Sequence, residues 1–584
     1  MVAALPPEIL VLVCEELGNR QDFQTLFHCA LAGRTLVRSA LSWLYRLAVA
    51  GFYLRCRLME GRIHNQSEYF RDDEPDTADP VSWQEGRALQ IRTTGKWALL
   101  WQSIIRSSLG TTAYPYCLYI RSLDLRNLDS LLEDTLFRAS SLDTFFTDEM
   151  SSFLKAQETP LKLGQKKTRS GKSAYIRLNV ASILDSVGES ITTYVADSAA
   201  RDRVIVALED ISGNINTAAL QKWARRLSRL KTLTLYDGSV LNASVANAIN
   251  EHCPDFDDLM FCFCMQANVD SDIAGFFGAL RSNSLRSFTA ISSQSIGPET
   301  LLALNNHCLS LRVLKLHELK SNAIKNLSLL QGCEALEILH LHDEDGFVNL
   351  QETENNVYLE VLAWLGRCKR LQELQFQKIL SAPSILTNLC LRNNIRLRKL
   401  ELIYYPLVNN QEFHKAMSHQ TSLESLILRA ESEGAFKDDI DTLVSSVSQL
   451  TGLRELDLCE TSEYFRSPEI IRLASNLLKL EKFSFSGYEV TDTIWPSISG
   501  LSYLRALNAH AITAFTFDGI LNYISMLQPT NQGLVLSVMC QGLDFDLSDY
   551  HKTVIQDSIE AKVDGRFEFV LFRESDSEYD SASD

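Results

Sequence analysis

The chain has 584 residues, 46% of them apolar and 22% charged, with a net charge of −17. That length supports large cores and exceeds one ordinary globular domain, and the acidity argues against nucleic acid as the main partner. Met1 is followed by no basic region, and "PPE" breaks the first apolar run, so no secretory leader is read; the longest stretch without a charged residue, 519–543, contains "QPTNQG" and is not a membrane span. The first element starts at "LPPEIL". Pro6 and Pro7 suit only a helix start, because proline has no N–H to donate, and Glu8 favours the positive end of the helix dipole. Ile9, Val13 and Leu17 form one apolar stripe, with Leu10 and Cys14 beside it. Asp22 is the expected cap of a second helix carrying Phe23, Leu26, Phe27, Ala30 and Leu31, and Leu36, Val37, Ala40, Leu41 and Leu44 mark a third.

Three helices in about 45 residues cannot hide so many aliphatic side chains alone. The module either packs on the rest of the chain, as a helical cap, or docks on another protein. Its residues resemble the F-box: Leu5, Pro6, Pro7, Glu8, Ile9 and Leu10 match the opening of the first helix, and Cys29 and Trp43 match later positions. The "CALAGRTL" segment lacks the Cys-Arg-x-Trp run usual there. The resemblance implies docking to a Skp adaptor through Leu5 to Leu10, Val13, Leu17, Leu26, Cys29, Leu36 and Trp43. The module is expected over residues 1–50.

A linker and helical cap are expected over 51–116: "RDDEPDTADP" reads as loose chain, and "GKWALLWQSIIRSSLG" as a helix with Trp97, Leu100, Trp101, Ile104 and Ile105 on one side. Near 155–173 lies a basic insertion whose Gly171-Lys172-Ser173 imitates a phosphate loop. Six residues, not four, separate Gly164 from Gly171, so a nucleotide site is not expected; its lysines and Arg169 suit a weak nuclear signal.

From 117 to 573 the chain repeats. "LRVLKL" at 311, "LEILHL" at 336, "LQELQF" at 371, "LRKLEL" at 397, "LESLIL" at 423 and "LRELDL" at 453 share L-x-x-L-x-L. Further copies stand at 120, 230, 256, 285, 480 and 504, weaker ones at 175, 203 and 531, and "FEFVLF" closes the series. From 203 to 531 there are 12 intervals over 328 residues, about 27 residues each. The last two apolar positions alternate with a polar one, so they face one side of a strand, and the remainder leaves room for a helix. "SPEIIRLASNL" has Ser467 as a cap and Pro468 at the first helical position, and "GPETLLALNNHC" starts similarly at Gly297. One such unit cannot bury its apolar side, whereas stacked units can. The period resembles the leucine-rich repeat. It implies an α/β fold: a curved solenoid, or horseshoe, with strands inside and helices outside. The 13 cysteines suit reduced intracellular thiols, and Cys253, Cys308, Cys333 and Cys368 share one repeat phase, read as small buried hydrophobes and similar to the cysteine-containing repeat class. The acidic tail 574–584, "ESDSEYDSASD", is expected to be disordered; Ser575, Ser577 and Ser581 each precede an acid by three residues.

Residues flanking the paired leucines define a concave wall: Tyr236, Met260, Lys315, His317, His340, His342, Gln375, Gln377, Lys399, Glu401, Arg429, Asp457, Lys482 and His510. Here a client protein is expected to bind across a change of sign, from Lys and His near 315–342 to Glu455 and Asp457. If His340 and His342 act while charged, binding should strengthen below about pH 6.5. "HLHDED" also suggests a metal, but Leu339 and Leu341 point inward and leave both histidines at exposed strand positions. No Gly-x-Ser-x-Gly, Cys-x-x-Cys or His-Glu-x-x-His occurs, so no catalysis and no cofactor are expected. The whole resembles fungal F-box proteins with a leucine-rich repeat array. That resemblance implies an intracellular substrate receptor, cytoplasmic or nuclear, of a Skp–cullin–F-box ubiquitin ligase that acts in ubiquitin-dependent degradation. The alternative is a scaffold bound to the Skp adaptor without a ligase.

Overall fold

The computed structural model describes residues 6–48 apart from Gln21, 80–157, and 177–572 with short breaks at 203–207, 267–268, 432, 434, 463 and 542–546. Leu5, the acidic linker, the Gly171-Lys172-Ser173 insertion and the acidic tail lie outside the described residues. The chain forms two units, one of 1–266 with 275–285 and the other of 267–274 with 286–584.

The first unit opens with α1 (Pro7–Asn19), α2 (Phe23–Ala32) and α3 (Arg34–Ala48). Pro6 stands before the first helical residue, and its carbonyl accepts from the amides of Ile9 and Leu10. The Asp22 carboxylate caps α2 by accepting from the Thr25 amide at 3.0 Å. A long helix, Pro80–Ser108, buries Trp101, Ile104 and Ile105. Tyr45 of α3 meets this region twice: its hydroxyl bonds Ser103 at 2.9 Å, and its ring stacks on Tyr116 at 4.8 Å. Four parallel strands follow in register: β1 (Ser122–Asp124), β2 (Asp210–Gly213), β3 (Thr232–Asp237) and β4 (Asp258–Phe263).

The second unit is a ladder of eleven parallel strands: β5 (Ser287–Ala290), β6 (Val313–Leu319), β7 (Ile338–Asp343), β8 (Glu373–Gln377), β9 (Lys399–Pro406), β10 (Ser425–Glu431), β11 (Glu455–Leu458), β12 (Lys482–Thr491), β13 (Ala506–Ala514), β14 (Val535–Gln541) and β15 (Arg566–Phe572). One helical segment intervenes between most neighbours. This is the leucine-rich-repeat architecture. The paired apolar residues, from Leu314 and Leu316 to Phe483 and Phe485, are at most 2% exposed, facing the helices. Each such side chain contributes about 1.5–3 kcal/mol on burial, so the leucine period alone goes far to fix the register.

The cysteine phase has a physical account. Cys253, Cys333 and Cys368 are fully buried, and each thiol lies on a carbonyl of the preceding repeat, as Cys253 does with Ala224 at 3.3 Å; Cys308 departs from the expectation, being only half-buried, with His307 beside it taking the buried place. Burial pushes all three thiols up to about 12, so they are inert neutral donors. Where the phase holds Gln420 instead, its amide donates to the Cys390 carbonyl at 3.0 Å.

Four readings need correction. The described part of "YIRLNV", from Arg177 on, forms no repeat strand: Leu178 makes one antiparallel bridge with Ala156, and a helix starts at Val180. The copy placed at 203 lies later, on Leu208, Ile211 and Gly213; a glycine at the last inward position hid it from a leucine template. In β14 the inward pair is Leu536 and Val538, two residues beyond the template match at 531. Ser467 is the first helical residue rather than the cap, and the Glu469 carboxylate accepts from the Arg466 amide at 3.0 Å.

Candidate functional site: an apolar helical face and a charged strand face

The front module has a very small interior. Cys14, Leu26 and Ala40 are fully buried, and Leu17, Cys29, Ala30, Leu36, Trp43 and Leu44 pack around them. Trp43 lies flat on Gly18, where an added Cβ would stand 2.4 Å from the indole. The expected adaptor set therefore divides. Leu26 sits in the interior and offers no surface; Leu17, Cys29, Leu36 and Trp43 are half-buried against it. Ile9 and Val13 are each 42% exposed, with Leu10 half-buried and Pro6 and Glu8 exposed beside them.

The expected adaptor set held only two of the seven exposed large apolar side chains of α1 and α2. Val11, Leu12, Phe23, Phe27 and Leu31 are also exposed, Leu31 by 69%. The signal was the unbroken "ILVLV" run, which puts apolar side chains on both sides of α1 when only one side fits the core. Seven large apolar side chains on α1 and α2 are thus open to water. Single exposed residues are ordinary; a concentration like this on a small module marks an interaction surface.

On the second unit, the residues expected to form the wall do fall on the strand face away from the leucines. Lys315, His340, Gln375 and Glu401 occupy one lateral row, and Ile427 and Asp457 continue it. Tyr236 and Met260 belong to the first unit. There Tyr236 is exposed and meets Phe263 edge-on at 4.7 Å.

The wall's charges are largely paired with one another. Glu373 accepts from His340 Nε2 at 2.9 Å and from Lys399 Nζ at 3.3 Å on the same oxygen. Lys399 also lies 3.6 Å from Glu401, Arg429 3.7 Å from Asp457, and Lys482 3.3 Å from Glu455. His340 is only 6% exposed, so the expectation of two exposed histidines fails for it. Burial holds its pKa below the usual imidazole value, with Lys315 and Lys399 adding to that, against the opposing pull of Glu373. His340 is therefore a neutral partner of Glu373, whose carboxyl the histidine bond and Lys399 hold down at about 2. A binding gain from charging His340 below pH 6.5 does not follow. His342 and His317 remain half-buried on the same face. Among the described residues no cluster of His, Cys, Asp or Glu could hold a metal. Asp343, next to the histidines, is buried and accepts from backbone amides of its own loop, including that of Asp345.

A second feature lies where the strands end. Phe347, Tyr404, Phe436, Tyr464 and Tyr488 are exposed by 42% to 82% and follow β7, β10 and β11 or sit at the ends of β9 and β12. Lys378 lies over Tyr404 at 5.7 Å and Arg466 over Tyr488 at 5.9 Å. Glu318, Lys378, Tyr404, Glu460 and Glu489 all have φ between 53° and 58°, and strand register slips beside three of them. Each left-handed non-glycine residue costs roughly 1–2 kcal/mol, and such bulges re-aim side chains. The sequence signal was an aromatic two to eight residues after the second inward position.

No protein-family model and no curated protein matches the chain. Several solved structures resemble it. An internalin of Listeria monocytogenes is 12% identical, with 65% of this chain and 94% of that chain covered and a TM-score of 0.35. The Rad7 and Elc1 complex of yeast is 17% identical, with 64% and 92% covered and a TM-score of 0.38. TLR13 in complex with ssRNA13 is 18% identical, with 66% and 52% covered and a TM-score of 0.32. Among the described residues no helix is long and apolar enough to cross a membrane.

Proposed function

We propose that the chain is the substrate-recognition subunit of a Skp–cullin–F-box ubiquitin ligase. The observation that carries the reading is the exposed apolar face of α1 and α2, opened by Pro6-Pro7-Glu8. A Skp adaptor covers that face, and through it a cullin–RING ligase is recruited. The second unit holds a client protein on its strand face and aromatic strand-end rim, where Tyr and Arg side chains supply the residue types that dominate binding energy. The chain itself catalyses nothing and needs no cofactor; it raises the effective concentration of client beside the transferring subunits.

The test is capture of purified Skp adaptor by the full chain carrying Ile9→Asp and Leu12→Asp. Burying one such side chain contributes about 1.5–3 kcal/mol, so affinity should fall at least about ten- to a hundredfold while the far-ultraviolet spectrum stays unchanged. Unaltered capture would sink the adaptor reading. Adaptor binding without cullin co-purification would leave the scaffold alternative in its place.

A further inference from the structure

The turns leading into β8 to β12 enclose a groove of about 630 Å³. Five cations line it, Lys369, Arg370, Arg396, Arg398 and Lys479, against one acid, Glu424. The groove thus carries a surplus of four positive charges in a chain whose net charge is −17. Several other arginines along this edge are matched. Arg312 meets Glu337 at 2.5 Å, Arg454 donates to Glu481 at 2.7 Å, and within the groove Arg398 grips Glu424 with three hydrogen bonds. Lys369, Arg370, Arg396 and Lys479 are exposed, and among the described residues none of them forms an ion pair.

We propose that this groove binds an acidic segment of a partner protein in extended form, its carboxylates or phosphates meeting Arg370, Arg396 and Lys479. The length favours a peptide over a free anion. Four strand steps of about 4.8 Å separate β8 from β12, roughly 19 Å, which about six extended residues span. The lining favours a peptide over a nucleic acid. Single strands gain affinity by stacking bases on aromatic rings, and the apolar groups here are Leu371 and Leu423. The two unmatched guanidiniums have the fork geometry that takes carboxylate or phosphate bidentately. The inference needs only the second unit and stands whether or not the adaptor reading does.

The experiment uses the full chain and a fluorescein-labelled ten-residue peptide of alternating Glu and Ser. Its phosphoserine form, a Lys-for-Glu counterpart and a decathymidylate serve as comparisons. Anisotropy should report binding of the acidic peptide, tighter binding of the phosphorylated form, and a several-fold loss between about 50 and 300 mM salt. Arg370→Glu with Arg396→Glu and Lys479→Glu should weaken binding at least about tenfold. These side chains are exposed, so circular dichroism should be unchanged; if it is not, the alanine triple variant takes the same test. Equal binding by the variant or by the Lys peptide, or tighter binding of the oligonucleotide, overturns the proposal. A chain ending at Arg573 separates the remaining occupant. Unchanged affinity supports a partner segment, whereas tighter binding shows that the chain's own 574–584 fills the groove and overturns the partner assignment.

Discussion

The front module and the strand ladder handle exposed side chains in opposite ways. Among its described residues the module has an interior of three fully buried side chains and leaves seven large apolar ones in water. The ladder buries the inward leucines of its strands and covers its open face with charges that pair laterally, such as Glu373 with Lys399 and Arg429 with Asp457. An open ion pair is worth about 0–1 kcal/mol, so those charges keep the face solvated rather than hold the ladder together. The module's apolar face has no such compensation. It would gain most from a partner, whereas the ladder's face has to exchange existing pairs for new ones. That difference explains why strong affinity is expected at the helices and selectivity at the strands.

The largest effect is expected inside the module. Leu26→Asp removes about 1.5–3 kcal/mol of burial and puts a carboxylate among Cys14 and Ala40, a cost of roughly 4 kcal/mol or more in total. Hydrogen exchange should show α1 to α3 unprotected and adaptor capture lost, with the amides of β5 to β15 as protected as before. Capture surviving Leu26→Asp would mean that the small interior does not hold the docking face.

In the ladder, a comparable effect is expected from acid. His414 is fully buried against Tyr405, with its hydroxyl 3.1 Å from Nε2, and burial lowers its pKa to about 4 despite Asp439 nearby. A depressed histidine makes the unfolded chain the better proton acceptor, so stability is complete above about pH 6.5 and falls as pH drops towards 4. The loss is about 3 kcal/mol, from roughly 1.4 kcal/mol per unit. Urea midpoints for the parent and His414→Gln should converge as pH falls from 7 to 4; parallel pH curves would contradict the assignment.

Packing in the module supplies the next test. Gly18→Val drives a branched side chain into Trp43 and should cost about 1–3 kcal/mol, seen as weaker adaptor capture at 37 °C than at 10 °C. Temperature-independent capture would show that Trp43 is free to move. The smallest effect belongs to the strand face. Glu373→Gln leaves Lys399 with Glu401 and His340 with an amide partner, so stability should change by about 1 kcal/mol or less. A change above about 2 kcal/mol would mean that the paired charges hold the ladder together and do more than keep its face solvated.

Much of the ladder was legible because a period of about 27 residues with two inward leucines admits one strand phase. A slip of one residue would turn every leucine into water. Legibility failed where that code is not written in leucine. Gly213 disguised β2, and the leucines in "NQGLVL" pulled the reading two residues from the inward pair of β14. On the module, the two prolines and Asp22 announced the helix starts. The side that faces water did not follow, since "ILVLV" is apolar all round and only the fit of Cys14 against Leu26 and Ala40 selects the inner stripe.

By itself, then, the sequence determined the elements and their repeat, because helix caps and inward leucines act through neighbours in the chain and through a period that any stacked copy must share. The chemistry of the surfaces arises only on packing. Glu373 reaches His340 and Lys399 across 33 and 26 residues of chain, and the basic groove draws its cations from turns spread over 110 residues, from Lys369 to Lys479. Parallel strands about 4.8 Å apart set those distances, so the pairing of charges, the neutrality of His340 and the unmatched Arg370 and Arg396 exist only once the strands are stacked.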